Sequence, residues 1–360
     1  MNAPTSIPWF EPWLDADDVE AVRRVVASGF VNEGPENRAF EKDLCAYFGV
    51  PFAVTTPSCT MALALSVMAL GIGPGHAVLV PAVTFIGTAS AVRLAGAEVI
   101  LVDVDTESFT IDVADARRKM KPHVKAIIPV HLTGRSADMA AIRALAREYN
   151  LAVIEDAAEA TGSCNSDGWL GAQSDAGCFS LAPTKIITSG QGGFVLTRRE
   201  DVRDNLIRLR DHGRLSRSSD VHPVTGFNFK VTDMQAGLAR SQWRKLDTRI
   251  RRAKDIDALY RAELAGHPAI RFTARPEQGY LMWPDFVSEH RDALVDAAKV
   301  AGIHLRPYWP PIHQQPAYAT GTSLPGAETV CRTASWLPCS PAITDDEIRR
   351  VCRTMIDALG

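Results

Sequence analysis

Between positions 52 and 197, short apolar β-branched runs alternate with stretches whose apolar residues recur every three or four positions. The first pattern is that of a buried strand, the second that of an amphipathic helix. Strands are expected at 52–55, 77–80, 98–102, 125–130 and 152–155, and helices at 61–70, 87–94 and 139–149. Such alternation predicts a mainly parallel sheet covered by helices. After position 197 the pattern turns helical, over 200–210 and then from 232 to about 264, where the chain would leave the first unit. The remainder mixes short strands (269–272, 280–286) with helices (291–301, 344–359), joined by Arg306-Pro307-Tyr308-Trp309-Pro310-Pro311. We therefore expect an N-terminal arm and large α/β domain over 1–247 and a small α+β domain over 248–360.

Bulk properties narrow the function. With 360 residues, 46% hydrophobic content and a net charge of −3, the chain can bury one large core and a smaller one. The short basic run Arg249-Ile250-Arg251-Arg252 lies on a helical pattern and reads as a solvated face, so nucleic acid is not an expected partner. No stretch offers the ~18 consecutive apolar residues of a membrane span, and the first residues lack a cationic start and an apolar core, which predicts a cytoplasmic protein. Seven cysteines without a CxxC pair point to packed free thiols rather than disulfides or a metal site.

Chemistry concentrates at predicted strand ends. Lys185 closes the apolar run Cys178-Phe179-Ser180-Leu181-Ala182-Pro183-Thr184-Lys185, followed by Gly190-Gln191-Gly192-Gly193. Desolvation favours the neutral amine, which is the form that attacks an aldehyde, so Lys185 is a Schiff-base candidate. Asp156 ends the strand Leu151-Ala152-Val153-Ile154-Glu155-Asp156 at the sheet edge where open α/β folds place ligands, and could face a pyridine nitrogen or cap the turn Ala157-Ala158-Glu159-Ala160. Glu155 should point to the opposite face. Lysine plus aspartate suggests pyridoxal 5'-phosphate (PLP). Ser58, Cys59 and Thr60 open a helix whose free N–H groups would suit a phosphate, although N-capping by Ser58 or Thr60 explains the same residues. Phe85 after the second strand could stack on a planar ring, or pack in the core. His131, in Pro129-Val130-His131-Leu132, could hydrogen-bond near the cofactor or serve a structural role. Gly71-Ile72-Gly73-Pro74-Gly75 has the wrong spacing for a dinucleotide loop and reads as a turn.

Together, Ser58-Cys59-Thr60, Thr84-Phe85, Glu155-Asp156-Ala157-Ala158-Glu159-Ala160, the run from Ser180 to Lys185, Gly190 to Gly193 and Gly226-Phe227-Asn228-Phe229-Lys230-Val231-Thr232 resemble the DegT/StrS family of nucleotide-sugar aminotransferases. Gly29-Phe30-Val31-Asn32-Glu33-Gly34-Pro35 and Leu337-Pro338 extend the likeness nearly end to end. The resemblance implies the fold type I architecture of PLP-dependent transferases, with a mainly parallel seven-stranded sheet and a smaller α+β C-terminal domain. It implies that Lys185 anchors the cofactor and moves a proton, that Asp156 pairs with the ring nitrogen and that Phe85 stacks on the ring. Ser58, Thr60 and Ser180 would hold the phosphate, Glu159 would lie near the ring hydroxyl or the sugar, and Asn228 would reach the phosphate from the second subunit of a homodimer. Cys59 stands where the family usually has glycine, which requires that it avoid positive φ. Gln191 replaces a common glutamate, and Lys230 a common arginine, turning any bidentate anion contact into a point contact.

By the same resemblance the amino group passes from L-glutamate to a nucleotide-linked keto sugar. Lysine rather than histidine at 185 argues for transamination over dehydration, and Lys185-Ile186-Ile187-Thr188-Ser189-Gly190 resembles members acting on 4-keto-6-deoxy sugars, such as perosamine synthases. A cyclitol or other non-nucleotide ketone as acceptor, and a non-catalytic PLP-binding regulator, are the competing readings. Substrate selection should fall to loops 210–230 and 306–320, where Arg210, His212, Lys230, Tyr308 and His313 are candidates alongside His131.

Overall fold

The structure is a computed structural model that describes residues 6–216, 218, 220–276, 278–319 and 321–360. The chain opens with two helices, α1 (Ala16–Ala27) and α2 (Pro35–Phe48), and then runs β1 (Phe52–Thr56), α3 (Cys59–Ala69), β2 (Ala77–Pro81), α4 (Gly87–Leu94), β3 (Glu98–Val102), α5 (Val113–Arg118), β4 (Val124–Ile127), α6 (Met139–Tyr149) and β5 (Ala152–Asp156). A two-residue ribbon, β6 (Cys164–Asn165) and β7 (Gly168–Trp169), precedes β8 (Ala176–Ser180), β9 (Gly193–Thr197) and α7 (Glu200–Arg210). The strands assemble in the order β1-β9-β8-β5-β4-β2-β3. The pairs β2–β3, β2–β4, β4–β5 and β5–β8 are parallel, whereas β9 runs antiparallel to both β8 and β1. This is the seven-stranded, mainly parallel sheet that the alternation and the resemblance imply. Every residue of β2, β8 and β9 is buried, as strands covered on both faces require.

The long helical pattern after position 232 resolves into two helices, α8 (Asp233–Trp243) and α9 (Leu246–Glu263). They part at Arg244 and Lys245, and the Lys245 ammonium turns to Asp15 and Asp18 at the start of α1. Beyond α9, the strands β10 (Arg271–Phe272), β11 (Asp285–Val287), β12 (Arg306–Pro307) and β13 (Ala334–Trp336) form a second, antiparallel sheet in the order β10-β11-β13-β12, accompanied by α10 (Arg291–Val300), α11 (Pro325–Thr333) and α12 (Asp345–Asp357).

Two segments behave differently from their local pattern. The apolar run expected as a strand over 280–286 pairs as one only from Asp285, because its first residues are spent on the first unit. There, Met282 N–H donates to Thr133 O at 2.9 Å and the Trp283 indole N–H to Thr184 O at 3.1 Å. The arm docks on the second sheet and its flanks: Trp9 lies 6.0 Å from Trp336 of β13 and packs edge-on against Trp283 at 5.0 Å between ring centroids, and Ile7 bridges to Ile303. The apolar residues of the arm and of the second sheet share one core with Phe179, Phe194 and Leu196 of the first sheet, whose other strand residues pack in two further clusters. All seven cysteines are free thiols, five of them buried. No helix among the described residues is long and apolar enough to cross a membrane.

Candidate active site

The parallel strands bring their carboxyl ends to one sheet edge, and a cavity of about 240 Å³ opens there. Each wall comes from a different segment: Ser58, Cys59 and Thr60 from the start of α3, Thr84, Phe85, Gly87 and Thr88 after β2, Asp156 and Glu159 after β5, and Ser180 and Lys185 after β8. The second sheet and the arm close it with Trp9, Trp283, Arg306 and Trp309.

At the start of α3, Ser58 is the N-cap, its hydroxyl accepting from Met61 N–H at 3.2 Å. The capping reading and the cavity reading therefore hold for the same residue. The Cys59 and Thr60 N–H groups precede the first possible intrahelical acceptor, so the first turn presents donors and the positive end of the helix dipole to the cavity. Two glycines keep that corner open: a Cβ on Gly193 would lie 2.7 Å from Cys59 N, and one on Gly87 2.8 Å from Thr60 Oγ1. Cys59 has helical rather than positive φ, so a side chain is accommodated where glycine is usual. Its thiol points to Asp156, with Sγ 3.9 Å from Oδ1, and burial together with that carboxylate pushes the thiol well up from its ordinary value.

Asp156 is buried, and its oxygens are fixed by Thr88 Oγ1 at 2.7 Å and by Ala158 N–H at 3.1 Å. Burial raises its carboxyl above the usual value, against the pull of Thr88. A carboxylate in that condition gains from a cation brought against it, which a protonated pyridine nitrogen supplies. Glu155 points the other way, as strand alternation demands, and accepts from the His131 ring, Ser174 Oγ and the N–H groups of Gly171 and Gln173. Burial works against its charge, but these hydrogen bonds hold its carboxyl below the usual range.

Lys185 is nearly buried, its Nζ 3.3 Å from Glu159 Oε1 and 4.4 Å from the centroid of the Trp283 ring. Glu159 is held in turn by Thr133 N–H at 2.8 Å. Phe85 keeps 54% of its surface exposed, beside Trp309 at 5.7 Å, so it belongs to the cavity mouth and not to the core. Ser180 is buried in the wall and accepts from Ala182 N–H. A phosphorylated pyridine aldehyde fits this donor set: N–H groups with glycine clearance for the phosphate, an uncompensated buried carboxylate for the ring nitrogen, an exposed aromatic face and a lysine.

The expected substrate residues fare differently. His131 lies outside the cavity on the far side of the sheet; its Nδ1 accepts from Ala137 N–H at 3.2 Å and its Nε2 donates to Glu155 at 2.9 Å. Tyr308 is turned into the core, stacked on Trp336 and hydrogen-bonded to Asp285 in a buried group with Arg135 and Thr273. His313 is buried against Glu328. Arg210 ties Glu33, Glu41 and Thr55 together, and Lys230 pairs with Asp211. His212 sits in a positive-φ turn. Asn228 is exposed and lines no part of its own chain's cavity. Sequence reasoning missed Thr88, three residues after Phe85 and hence on the same helical face, and the wall of Trp9, Trp283, Arg306 and Trp309, for which no local motif exists.

The family described as the DegT/DnrJ/EryC1/StrS aminotransferase family matches residues 12–356. The chain is 34% identical over 363 residues to the GDP-perosamine synthase of Caulobacter vibrioides, covering 97% of each. It is 36% identical over 350 residues to the erythromycin biosynthesis sensory transduction protein EryC1 of Saccharopolyspora erythraea, covering 95% of each. Among solved structures it is similar to S. venezuelae DesV, with a TM-score of 0.92, 32% identity and 98% of both chains covered. It is also similar to Bacillus subtilis NtdA with bound PMP, with a TM-score of 0.90, 26% identity, and coverage of 96% of this chain and 83% of that one.

Proposed function

The chain belongs to the DegT/DnrJ/EryC1/StrS aminotransferase family and is a PLP-dependent sugar aminotransferase, and on that premise we propose that it moves an amino group from L-glutamate to a nucleotide-diphosphate-linked 4-keto-6-deoxy sugar. The observation that carries the assignment of roles is one cavity lined by Lys185, the buried Asp156 carboxylate and the opening turn of α3. Bound PLP supplies an aldehyde and an electron-withdrawing ring that carry the amino group from donor to acceptor.

The protein's share of the chemistry follows from placement. Lys185 would hold the cofactor through its Nζ, and the same amine would move a proton at the substrate carbon. Glu159, 3.3 Å away, accepts from that ammonium and keeps the flexible side chain aimed into the cavity. Asp156 would keep the ring nitrogen protonated, its carboxylate fixed by Thr88 and Ala158. The turn at 58–60, with Ser180, receives the phosphate. Trp283 and Trp309 cover the site and keep bulk water from the reacting atoms, where each electrostatic contact is then stronger.

The proposal includes a homodimer. Asn228, exposed on the loop that follows α7, would complete the phosphate site of a second copy, and the exposed Phe30, Val31, Leu215, Val221 and Val224 supply apolar surface for the contact. It also places the protein in the cytoplasm and divides the chain near 247/248, in the first turn of α9. The test is a substrate panel: purified protein with L-glutamate and GDP- or UDP-linked 4-keto sugars or dTDP-linked 3-keto sugars. Amination of a 4-keto sugar is expected; reaction only with a 3-keto sugar, or equally well with a ketone lacking the nucleotide, would overturn the substrate assignment.

A further inference from the structure

Arg306 stands on the cavity wall without an anion. It opens β12 opposite Trp336 in β13, and its guanidinium lies 4.3 Å from the centroid of the Trp9 ring and 5.9 Å from that of Trp336. No carboxylate, carbonyl or hydroxyl among the described residues accepts a hydrogen bond from it. Two aromatic faces attract a cation, but they leave the planar fork of five N–H donors unanswered. Burial disfavours its charge, and the carboxylate that offsets this, Glu159, is already engaged by Lys185 Nζ and Thr133 N–H. A half-buried guanidinium with its donors free is a receptor for an anion that arrives with a ligand.

The neighbours of Arg306 say which anion. Its aromatic support runs from Trp9 to Trp283, 5.0 Å away, and Trp283 is the ring over which Lys185 Nζ lies. The glycine-cleared Cys59 N–H and Thr60 hydroxyl are a separate receptor on a different wall. An anion beside Arg306 therefore belongs to the molecule worked on at Lys185. An amino-acid donor carries a carboxylate one bond from the reacting carbon. A 4-keto sugar has none there, and its diphosphate is attached at the far side of the ring.

We propose that Arg306, lying against the indoles of Trp9 and Trp336, receives the α-carboxylate of the amino-acid donor and serves the donor half of the reaction, not the sugar half. The inference rests on the aminotransfer reading above. The two half-reactions separate by cofactor absorbance when the holoenzyme is given L-glutamate alone, or the aminated enzyme the keto sugar alone. Arg306→Gln should raise the KM for glutamate by about 10- to 100-fold, the range for a charged hydrogen bond, and slow the sugar half much less. Arg306→Lys should recover part of the loss, since a point charge remains. Binding of glutarate, an unreactive dicarboxylate, to the holoenzyme, followed by indole fluorescence, should weaken by a similar factor in Arg306→Gln.

Unchanged glutamate and glutarate binding in Arg306→Gln, or a loss confined to the sugar half, would overturn the proposal. So would an equal fall in both halves with a lower melting temperature in both variants, which assigns Arg306 a packing role. If the wild-type holoenzyme gives no absorbance change with glutamate, it is the donor in the functional reading that fails.

Discussion

Asp156→Asn separates the cost of a buried carboxylate from its use, because the two effects have opposite signs. The amide is nearly isosteric, can still accept from Ala158 N–H and can face the Thr88 hydroxyl, which both donates and accepts. It cannot offer a negative charge to a ring nitrogen. Breaking a buried charge pair from one side costs about 3–5 kcal/mol, and at about 1.4 kcal/mol per decade this predicts a fall of roughly 10²- to 10⁴-fold in the rate of the glutamate half-reaction. In the cofactor-free protein the same substitution should stabilise. The folded Asp156 carboxyl is raised above 3.8 by burial, so the folded state gains from the proton at low pH and loses that gain as the pH rises through the raised value. The melting temperature of apo Asp156→Asn should therefore exceed that of the wild type at neutral pH, with the gap closing as the pH falls toward 3.8. Stopped-flow absorbance with glutamate and melting of the apoprotein from pH 4 to 8 check both signs. A wild-type half-reaction rate in the variant would refute the pairing with the ring, and an apo variant less stable than wild type at pH 7 would refute the desolvation argument.

Lys185→Ala should abolish turnover, and borohydride treatment should leave no cofactor adduct on any peptide; an adduct on another lysine would move the site elsewhere. Phe85→Ala removes a half-exposed ring at the cavity mouth, so cofactor affinity should fall about 3- to 10-fold, the worth of one aromatic contact, while melting temperature changes little, as equilibrium cofactor titration and calorimetry would show. Glu155→Gln should destabilise the protein by about 3 kcal/mol by leaving buried donors unanswered. The folded Glu155 carboxyl is depressed, so its contribution is present above about 4.5 and is lost as the pH falls, and the variant should show a flatter acid limb in denaturant melts.

How far the sequence reaches depends on the distance between the groups involved. That Phe85, Asp156, Ser180 and Lys185 line one cavity was legible because each ends or follows a strand whose period is local, and parallel strands present their carboxyl ends along one edge. The opposed directions of Glu155 and Asp156 followed from strand alternation alone. His131, Tyr308 and His313 do not line the cavity, and the sequence could not show this because a polar residue after a strand or in a loop has the same local signature whether it turns to the cavity or to the core. Glu155, Asp285 and Glu328 decided otherwise for each of them.

By itself the sequence determined the order of elements, the mainly parallel sheet and the strand ends that carry lysine and aspartate, since hydrophobic period and turn chemistry act over a few residues. Only the tertiary structure decided what faces those strand ends. The arm docks on the second sheet, and the second sheet on the first, through large aromatic surfaces whose fit is a property of the assembled core. That fit brings Trp9, Trp283, Arg306 and Trp309 to the cavity of Lys185 from far along the chain.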